Sequence, residues 1–252
     1  MLYSPVSWLM APLALAQGLW VRRRTPRLPE AAGPSEACAG SGPTLRLLAI
    51  GDSIVAGVGV AQREQALPAR LAAALAAMLE ARVCWRAWGA NGARTTDLLT
   101  WLAGVGTLDA QLLVLSNGLN DVTSFSALKR WLGEMSRLFD RLRALAPEAL
   151  IVQLGIPPLA HFPALPQPLR HLLGQRALVF DHAGEALVNG LPRSLYLPFR
   201  ERPDPGLFAL DGYHPGPEAV DLWARHLAPA IAAALPSGAG VGPVPASGLR
   251  VP

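Results

Sequence analysis

The sequence predicts an α/β protein with three layers, α/β/α, around a five-stranded parallel sheet. Short apolar runs alternate with longer segments in which apolar residues recur every three or four positions. Strands that are apolar throughout are typical of a parallel sheet covered by helices on both faces. With 252 residues, 51% hydrophobic and 16% charged, the chain can bury a sizeable core.

The five predicted strands are short runs rich in Leu, Val and Ile. In chain order they are TLRLLAI from Thr44, VCWRAW from Val83, AQLLVLSNG from Ala110, ALIVQLG from Ala149 and SLYLPF from Ser194. The first, third and fourth have the character of fully buried strands. We expect right-handed crossovers between parallel neighbours.

Five longer predicted helices accompany the strands, and each shows apolar residues at helical spacing. They are REQALPARLAAALAAMLEA from Arg63, TTDLLTWLAG from Thr95, ALKRWLGEMSRLFDRLRALAP from Ala127, LRHLLGQRALVFDHAGEALVNG from Leu169 and PEAVDLWARHLAPAIAAAL from Pro217. The second begins with threonines suited to an N-cap, and the third stops at Pro147. The predicted folded domain therefore spans residues 44–235.

Residues 1–21 form an apolar N-terminal segment without a charged side chain. Three interpretations stay open: a membrane anchor or interfacial helix, a secretory signal cut after Ala16, and an apolar arm packed on the protein's own surface. The first, with the arginines that follow on the cytoplasmic side, predicts a membrane-associated protein whose domain is cytoplasmic. A secreted or periplasmic location is the alternative.

Charge adds little to these expectations outside one cluster. The net charge is +4, and the basic residues are scattered except for Arg22, Arg23, Arg24 and Arg27. Without a basic stripe interleaved with aromatics, nucleic acid is not an expected partner. The cluster better suits anionic lipid headgroups, so residues 1–27 are predicted to meet a membrane surface.

Two segments and both cysteines fall outside the alternating pattern. Residues 22–43 are Pro/Gly-rich and predict a basic linker, and residues 236–252 predict a disordered tail. Cys38 and Cys84 do not imply a disulfide framework, and Cys84 is expected to be a small buried hydrophobic residue. Without a CxxC motif or a His/Cys cluster, no metal is predicted.

Polar residues follow the predicted strands at the edge where their carboxyl ends meet. They stand in GDS at 51–53, GANG at 89–92, NGLND at 117–121 and, before the last helix, DGYHPG at 211–216. Ligand sites of such folds lie at this edge.

These residues include a candidate nucleophile and its base. A serine becomes a good nucleophile at neutral pH when a base takes its proton, and His214 can do this for Ser53. Asp211, three residues before the histidine, is placed to fix the imidazole tautomer. The N–H groups of Ser53 and Gly92 and the side-chain amide of Asn120 would form an oxyanion hole, with Gly89 as an alternative to Gly92.

The four motifs together resemble the SGNH subgroup of the GDSL esterases and lipases. They are GDS at 51–53, a glycine at Gly92, GxND at 118–121 and DxxH at 211–214. The resemblance spans roughly 45–235 and implies a flavodoxin-like strand order 2-1-3-4-5. It also implies hydrolysis of ester substrates without a metal or organic cofactor, and it leaves the oligomeric state open.

Three other functions remain open for the same residues. The acyl group could pass to an acceptor other than water, which would make the protein an acyltransferase. A catalytically silent binding protein could use the same fold. A phosphate-binding module is disfavoured because GDSIVAGVGV lacks the lysine of a P-loop.

Overall fold

The computed structural model describes residues 5–199 and 202–236. The strands are β1 (Glu36–Ala39), β2 (Thr44–Gly51), β3 (Arg82–Gly89), β4 (Leu112–Ser116), β5 (Leu150–Leu154) and β6 (Ser194–Leu197). The helices are α1 (Pro5–Arg24), α2 (Ser53–Ala56), α3 (Leu67–Leu79), α4 (Thr95–Leu102), α5 (Leu119–Thr123), α6 (Leu128–Leu145), α7 (Leu169–Val188) and α8 (Pro217–Ala234). The predicted tail, apart from Pro236, lies outside the described residues.

The strands form one mixed sheet in the order β1-β3-β2-β4-β5-β6. The five predicted strands pair in parallel, and their order is the 2-1-3-4-5 that the family resemblance implies. The three-layer α/β fold is therefore confirmed. The sheet has one strand more than predicted, because β1 adds antiparallel to β3.

Strand β1 lies inside the segment predicted as a linker, and it carries a disulfide. Cys38 is the direct register partner of Cys84 across the β1–β3 pair, and the two sulfurs are bonded. The expectation that Cys84 is an unpaired buried hydrophobic residue is wrong. The two cysteines are 46 positions apart, and only strand pairing brings them together.

Helices cover both faces of the sheet and enclose two apolar cores. On one face α3 and α8 pack over β2, β3 and β5, and Leu71, Leu75 and Ile231 are fully buried there. On the other face α4, α6 and α7 enclose Trp131 and Phe180, whose ring centroids are 4.9 Å apart. The continuous apolar strands are explained by this double coverage.

The register of the central strands brings their carboxyl ends level. Gly51 at the end of β2 pairs with Gly89 of β3 on one side and with Ser116 of β4 on the other. A Cβ at Gly51 would lie 2.1 Å from the carbonyl oxygen of Ser116, so no larger residue fits there. This close approach places the turn after β2 between the loops after β3 and β4.

Helix α1 packs against α7 near the start of α7. The Gln17 side chain donates to the Gln167 carbonyl at 2.6 Å and accepts from the Leu169 N–H at 3.1 Å. On either side of Gln17, Leu15 and Trp20 are 64% and 53% exposed. Within residues 5–199 and 202–236, no helix has the combination of length and apolar character required to cross a bilayer.

Candidate active site

Ser53 begins α2 immediately after the turn that ends β2. Asp52 is the N-cap, and its carboxylate accepts a hydrogen bond from the N–H of Ile54 at 3.2 Å. The helix lasts only one turn, because Gly57 takes a left-handed conformation with φ 76° and ends it. The serine is thus fixed at the carboxyl edge of the sheet, where it is 5% exposed.

His214 and Asp211 lie in the loop before α8 and approach Ser53 from above the sheet edge. The Nε2 atom of His214 is 3.0 Å from the Ser53 Oγ, and its Nδ1 is 2.6 Å from the Asp211 Oδ2. The Asp211 Oδ1 also accepts from the N–H groups of Tyr213 and His214, at 2.9 and 3.0 Å. The structure therefore brings the three predicted catalytic side chains into one hydrogen-bonded chain.

Asp211 has the surroundings of an ionised carboxylate. Burial alone would raise its pKa, but the hydrogen bonds from the His214 ring and from two backbone N–H groups hold that pKa below its ordinary value. An ionised Asp211 accepts a hydrogen bond from the Nδ1–H of His214, which leaves Nε2 as the acceptor for the hydroxyl of Ser53. This is the tautomer that a general base requires.

Asp52 is a second buried carboxyl group, next to the candidate nucleophile Ser53. Its Oδ1 accepts from the hydroxyl of Ser116 at 2.9 Å, and its own N–H donates to the Ser116 carbonyl at 2.9 Å. Burial raises its pKa to about 6, against the opposing effect of the hydrogen bonds from Ser116 and Ile54. Asp52 thereby anchors the nucleophile turn to β4.

The two remaining oxyanion candidates lie next to each other in the loops after β3 and β4. The Asn120 amide donates to the carbonyl of Ala93 at 2.9 Å, which links the first turn of α5 to the loop that contains Gly92. Gly92 has φ 83° and no heavy atom within 4 Å of a Cβ at that position. An N–H in such an open, left-handed loop position is accessible to a ligand.

Gly89, the alternative to Gly92, has a packing role. It ends β3, and a Cβ there would lie 2.8 Å from the backbone nitrogen of Ala56 and from the side chain of Val55. The glycine allows α2 to lie close against the end of β3. This contact explains Gly89 without any part in anion binding.

Comparison with known proteins agrees with this geometry. The model of the GDSL-like lipase/acylhydrolase family matches residues 49–222. The chain belongs to this family. As a GDSL-like acylhydrolase it is an enzyme that acts on ester bonds. The comparison with curated protein sequences gives no significant match.

Solved structures of similar fold include three hydrolases. A lipase from a goat rumen metagenome has a TM-score of 0.60 at 17% identity and covers 78% of this chain and 98% of its own. A carbohydrate acetylesterase from Sinorhizobium meliloti has a TM-score of 0.55 at 17% identity, and the match covers 75% of this chain and 99% of the acetylesterase. A phospholipase A1 from Streptomyces albidoflavus has a TM-score of 0.51 at 18% identity, and the match covers 75% of this chain and 98% of the phospholipase. At these identities the likeness establishes the fold.

A buried polar cluster supports the loops that carry the two oxyanion candidates, Gly92 and Asn120. Thr95 donates through its hydroxyl and its N–H to the Asp121 Oδ2, at 2.9 and 3.1 Å. The Thr95 hydroxyl in turn accepts from the Asn117 amide at 2.7 Å and the Trp131 indole at 3.1 Å. The cluster ties the start of α4, just after Gly92, to the start of α5, which carries Asn120.

The sequence places Thr95 at the start of a predicted helix and Asp121 at the end of the GxND motif, without linking the two residues. The signal that could have linked them is the pairing of a helix-start threonine with the acidic residue of GLND across adjacent strand ends. Burial raises the pKa of Asp121, and the two hydrogen bonds from Thr95 oppose that rise. Both residues are almost completely buried.

An apolar cavity of about 280 Å³ opens at Ser53 and His214. Its walls come from five separate segments: the start of α2, the start of α5, the loop after β5, the chain from the end of β6 to Pro215, and one face of α8. In the described part of the chain, no group of three or more His, Cys, Asp or Glu side chains is arranged to hold a metal ion.

Proposed function

We propose that this GDSL-like acylhydrolase cleaves carboxylic esters through a covalent acyl-enzyme on Ser53. The observation that carries the proposal is the chain of contacts from Ser53 Oγ to His214 Nε2 at 3.0 Å and from His214 Nδ1 to Asp211 at 2.6 Å. Such an arrangement activates a serine hydroxyl without any cofactor.

The reaction would proceed in two halves. Ser53 Oγ attacks the ester carbonyl carbon while its proton moves to His214 Nε2, and the N–H groups of Ser53 and Gly92 and the Asn120 amide bind the oxyanion. The tetrahedral intermediate expels the alcohol, which takes the proton from His214. Water then attacks the carbonyl carbon of the acyl-enzyme and gives a proton to His214. The second tetrahedral intermediate collapses by breaking its bond to Ser53 Oγ, which takes that proton back from His214 as the carboxylic acid leaves.

Replacement of the nucleophile tests the proposal directly. Ser53→Ala is expected to lower kcat on p-nitrophenyl butyrate by at least about 10⁴-fold, because the covalent route is lost. Ser41→Ala removes an exposed hydroxyl on another part of the surface and serves as the matched control. A fluorophosphonate probe should label the unmodified protein and the control, but not the Ser53 variant.

The outcomes separate the functions that the sequence leaves open. Unchanged turnover in the Ser53 variant would refute the mechanism. Absence of both turnover and labelling in the unmodified protein would indicate a binding protein. Diversion of most acyl groups to added methanol would indicate an acyltransferase.

We also propose that the enzyme functions in an oxidising compartment, which favours the secreted or periplasmic alternative over a cytoplasmic domain. The Cys38–Cys84 disulfide supports this, because disulfides persist outside the cytosol and are rare within it. The membrane surface stays a predicted partner. Its support is the exposed apolar part of α1, which the three arginines at 22–24 follow.

A further inference from the structure

The cavity beside Ser53 continues as a groove along α8. Five residues of this helix line it, and their spacing of three and four places them on one face: Ala219, Leu222, Trp223, His226 and Leu227. From the first to the last there are eight residue-to-residue steps, and a rise of about 1.5 Å per step gives the groove a length of about 12 Å. Its near end contacts His214.

The opposite walls are mainly aromatic and aliphatic. Phe199 packs on Trp223 with ring centroids 4.5 Å apart, and Phe162 packs edge-on against Phe208 at 5.2 Å. The side of the groove is open, because Leu222 is 50% exposed. Arg202 and Asp204 line it as well, but no polar side chain lies within the wall formed by Phe162, Phe199 and Phe208.

We propose that this groove binds the linear hydrocarbon chain of a medium-chain ester, of about eight to ten carbons, whose carbonyl lies at Ser53. The proposal rests on the ester hydrolysis proposed above. An extended chain advances about 3.6 Å for every three bonds, so a 12 Å groove accepts about ten bonds. Contact with apolar walls is the interaction that such a chain offers.

The same walls disfavour a sugar ester at this position. A sugar ring against Phe162, Phe199 and Phe208 would give up hydrogen bonds to water that these aromatic side chains cannot replace, since the polar residues of the groove, Arg202, Asp204 and His226, lie outside that wall. A hydrocarbon chain has no such requirement. The groove thus predicts lipid-like selectivity rather than preference for the acetyl group of a sugar acetate.

The hydrocarbon can belong to either side of the ester bond, and two substrate series distinguish them. In the first, p-nitrophenyl esters vary the acyl chain from two to fourteen carbons. In the second, acetate esters vary the linear alcohol over the same lengths. In one of the two series kcat/KM should rise about two- to fourfold per added methylene up to eight to ten carbons and then level off.

Variants in the groove test whether this length dependence arises there. Ala219→Phe fills the near end of the groove and should lower the ratio of kcat/KM for the eight-carbon and two-carbon esters by about tenfold or more. Trp223→Ala removes wall contacts and should lower the ratio severalfold. Ala144→Phe introduces the same side chain at an exposed helix position away from the groove, on α6, and should leave the ratio unchanged.

The results can overturn the proposal separately from the hydrolytic function. Flat rates or a maximum at two carbons in both series would refute a hydrocarbon groove while leaving ester hydrolysis intact. A length preference that persists in both Ala219→Phe and Trp223→Ala would place the chain elsewhere. If the unmodified protein shows neither turnover nor fluorophosphonate labelling, the proposed function itself is refuted.

Discussion

At the scale of single residues, Asp52 shows how the nucleophile turn is held at a cost to stability. Its carboxyl group is 2% exposed and accepts hydrogen bonds from Ser116 and Ile54, yet burial raises its pKa from the ordinary value of 3.8 to about 6. The folded protein therefore binds a proton more tightly than the unfolded chain does between these two pH values. Through this residue the free energy of unfolding falls as pH rises from about 4 to 6.

Asp52→Asn should remove that contribution, because the amide is neutral and its oxygen can accept the same hydrogen bonds. The rise in pKa corresponds to about 3 kcal/mol. From pH 4 to pH 7 the unfolding free energy of the unmodified protein should therefore fall by about 3 kcal/mol more than that of the variant. Urea denaturation at both pH values measures the difference. Parallel pH dependence in the two proteins would contradict the assignment.

Some residues of the candidate site could be predicted from a short stretch of sequence, and others could not. Ser53, Asp211 and His214 could be predicted because each stands in a short motif at a strand end or before a helix. The Thr95–Asp121 pair could not, because neither residue is unusual locally and the contact exists only once β3 and β4 lie on either side of β2. The cavity was not predicted either, because its walls come from five segments that are distant in the sequence.

At the scale of elements, the N-terminal region divides between residues 27 and 28. Helix α1 contacts the domain along α7, through the hydrogen bonds of Gln17 and the buried side chain of Ala14. The following residues are part of the domain: Ala31 is buried, the Ala32 carbonyl accepts from the Arg63 N–H at 2.8 Å, and the Glu30 carboxylate accepts from the Asn91 N–H at 2.7 Å. The last contact fixes the loop beside Gly92.

Two truncations should therefore behave differently. Removal of residues 1–27 is expected to leave ester hydrolysis within about twofold and to abolish sedimentation with phosphatidylglycerol vesicles, because the arginine cluster and the exposed apolar helix are lost. Removal of residues 1–43 also deletes β1 and the Glu30 contact, and should lower both thermal stability and activity. Equal activity of the two truncated proteins would contradict this division, and vesicle binding without residues 1–27 would refute the membrane role of α1.

Strand prediction succeeded where burial on both faces made the sequence apolar throughout, as in β2, β4 and β5. It failed for β1, which has four residues, EACA, three of them exposed, between Gly- and Pro-rich flanks. Four residues are too few to show the pattern of apolar residues by which a strand is predicted. Its pairing depends on β3 and on the Cys38–Cys84 bond, and neither is visible from the local sequence.

At the scale of the whole molecule, the disulfide closes a loop of 46 positions around the first two strands. In the chain-entropy model such a loop contributes about 4 kcal/mol to stability, and measured values for disulfides are typically about 2–4 kcal/mol. Reduction by dithiothreitol should lower the unfolding free energy by that amount. The Cys38→Ser/Cys84→Ser variant should start from the lower value and not respond, and equal stability of the oxidised and reduced proteins would refute the contribution.

The position of β1 has a further consequence for the behaviour of the protein in solution. Without β1, the backbone N–H and C=O groups along one side of β3 would be unpaired, and an open strand edge is a template for pairing with other copies of a chain. The covalent bond from Cys38 to Cys84 holds β1 on that edge in addition to the backbone pairing between the two strands. Aggregation through β3 is therefore held in check by a single bond at the periphery of the sheet, far from the chemistry at Ser53.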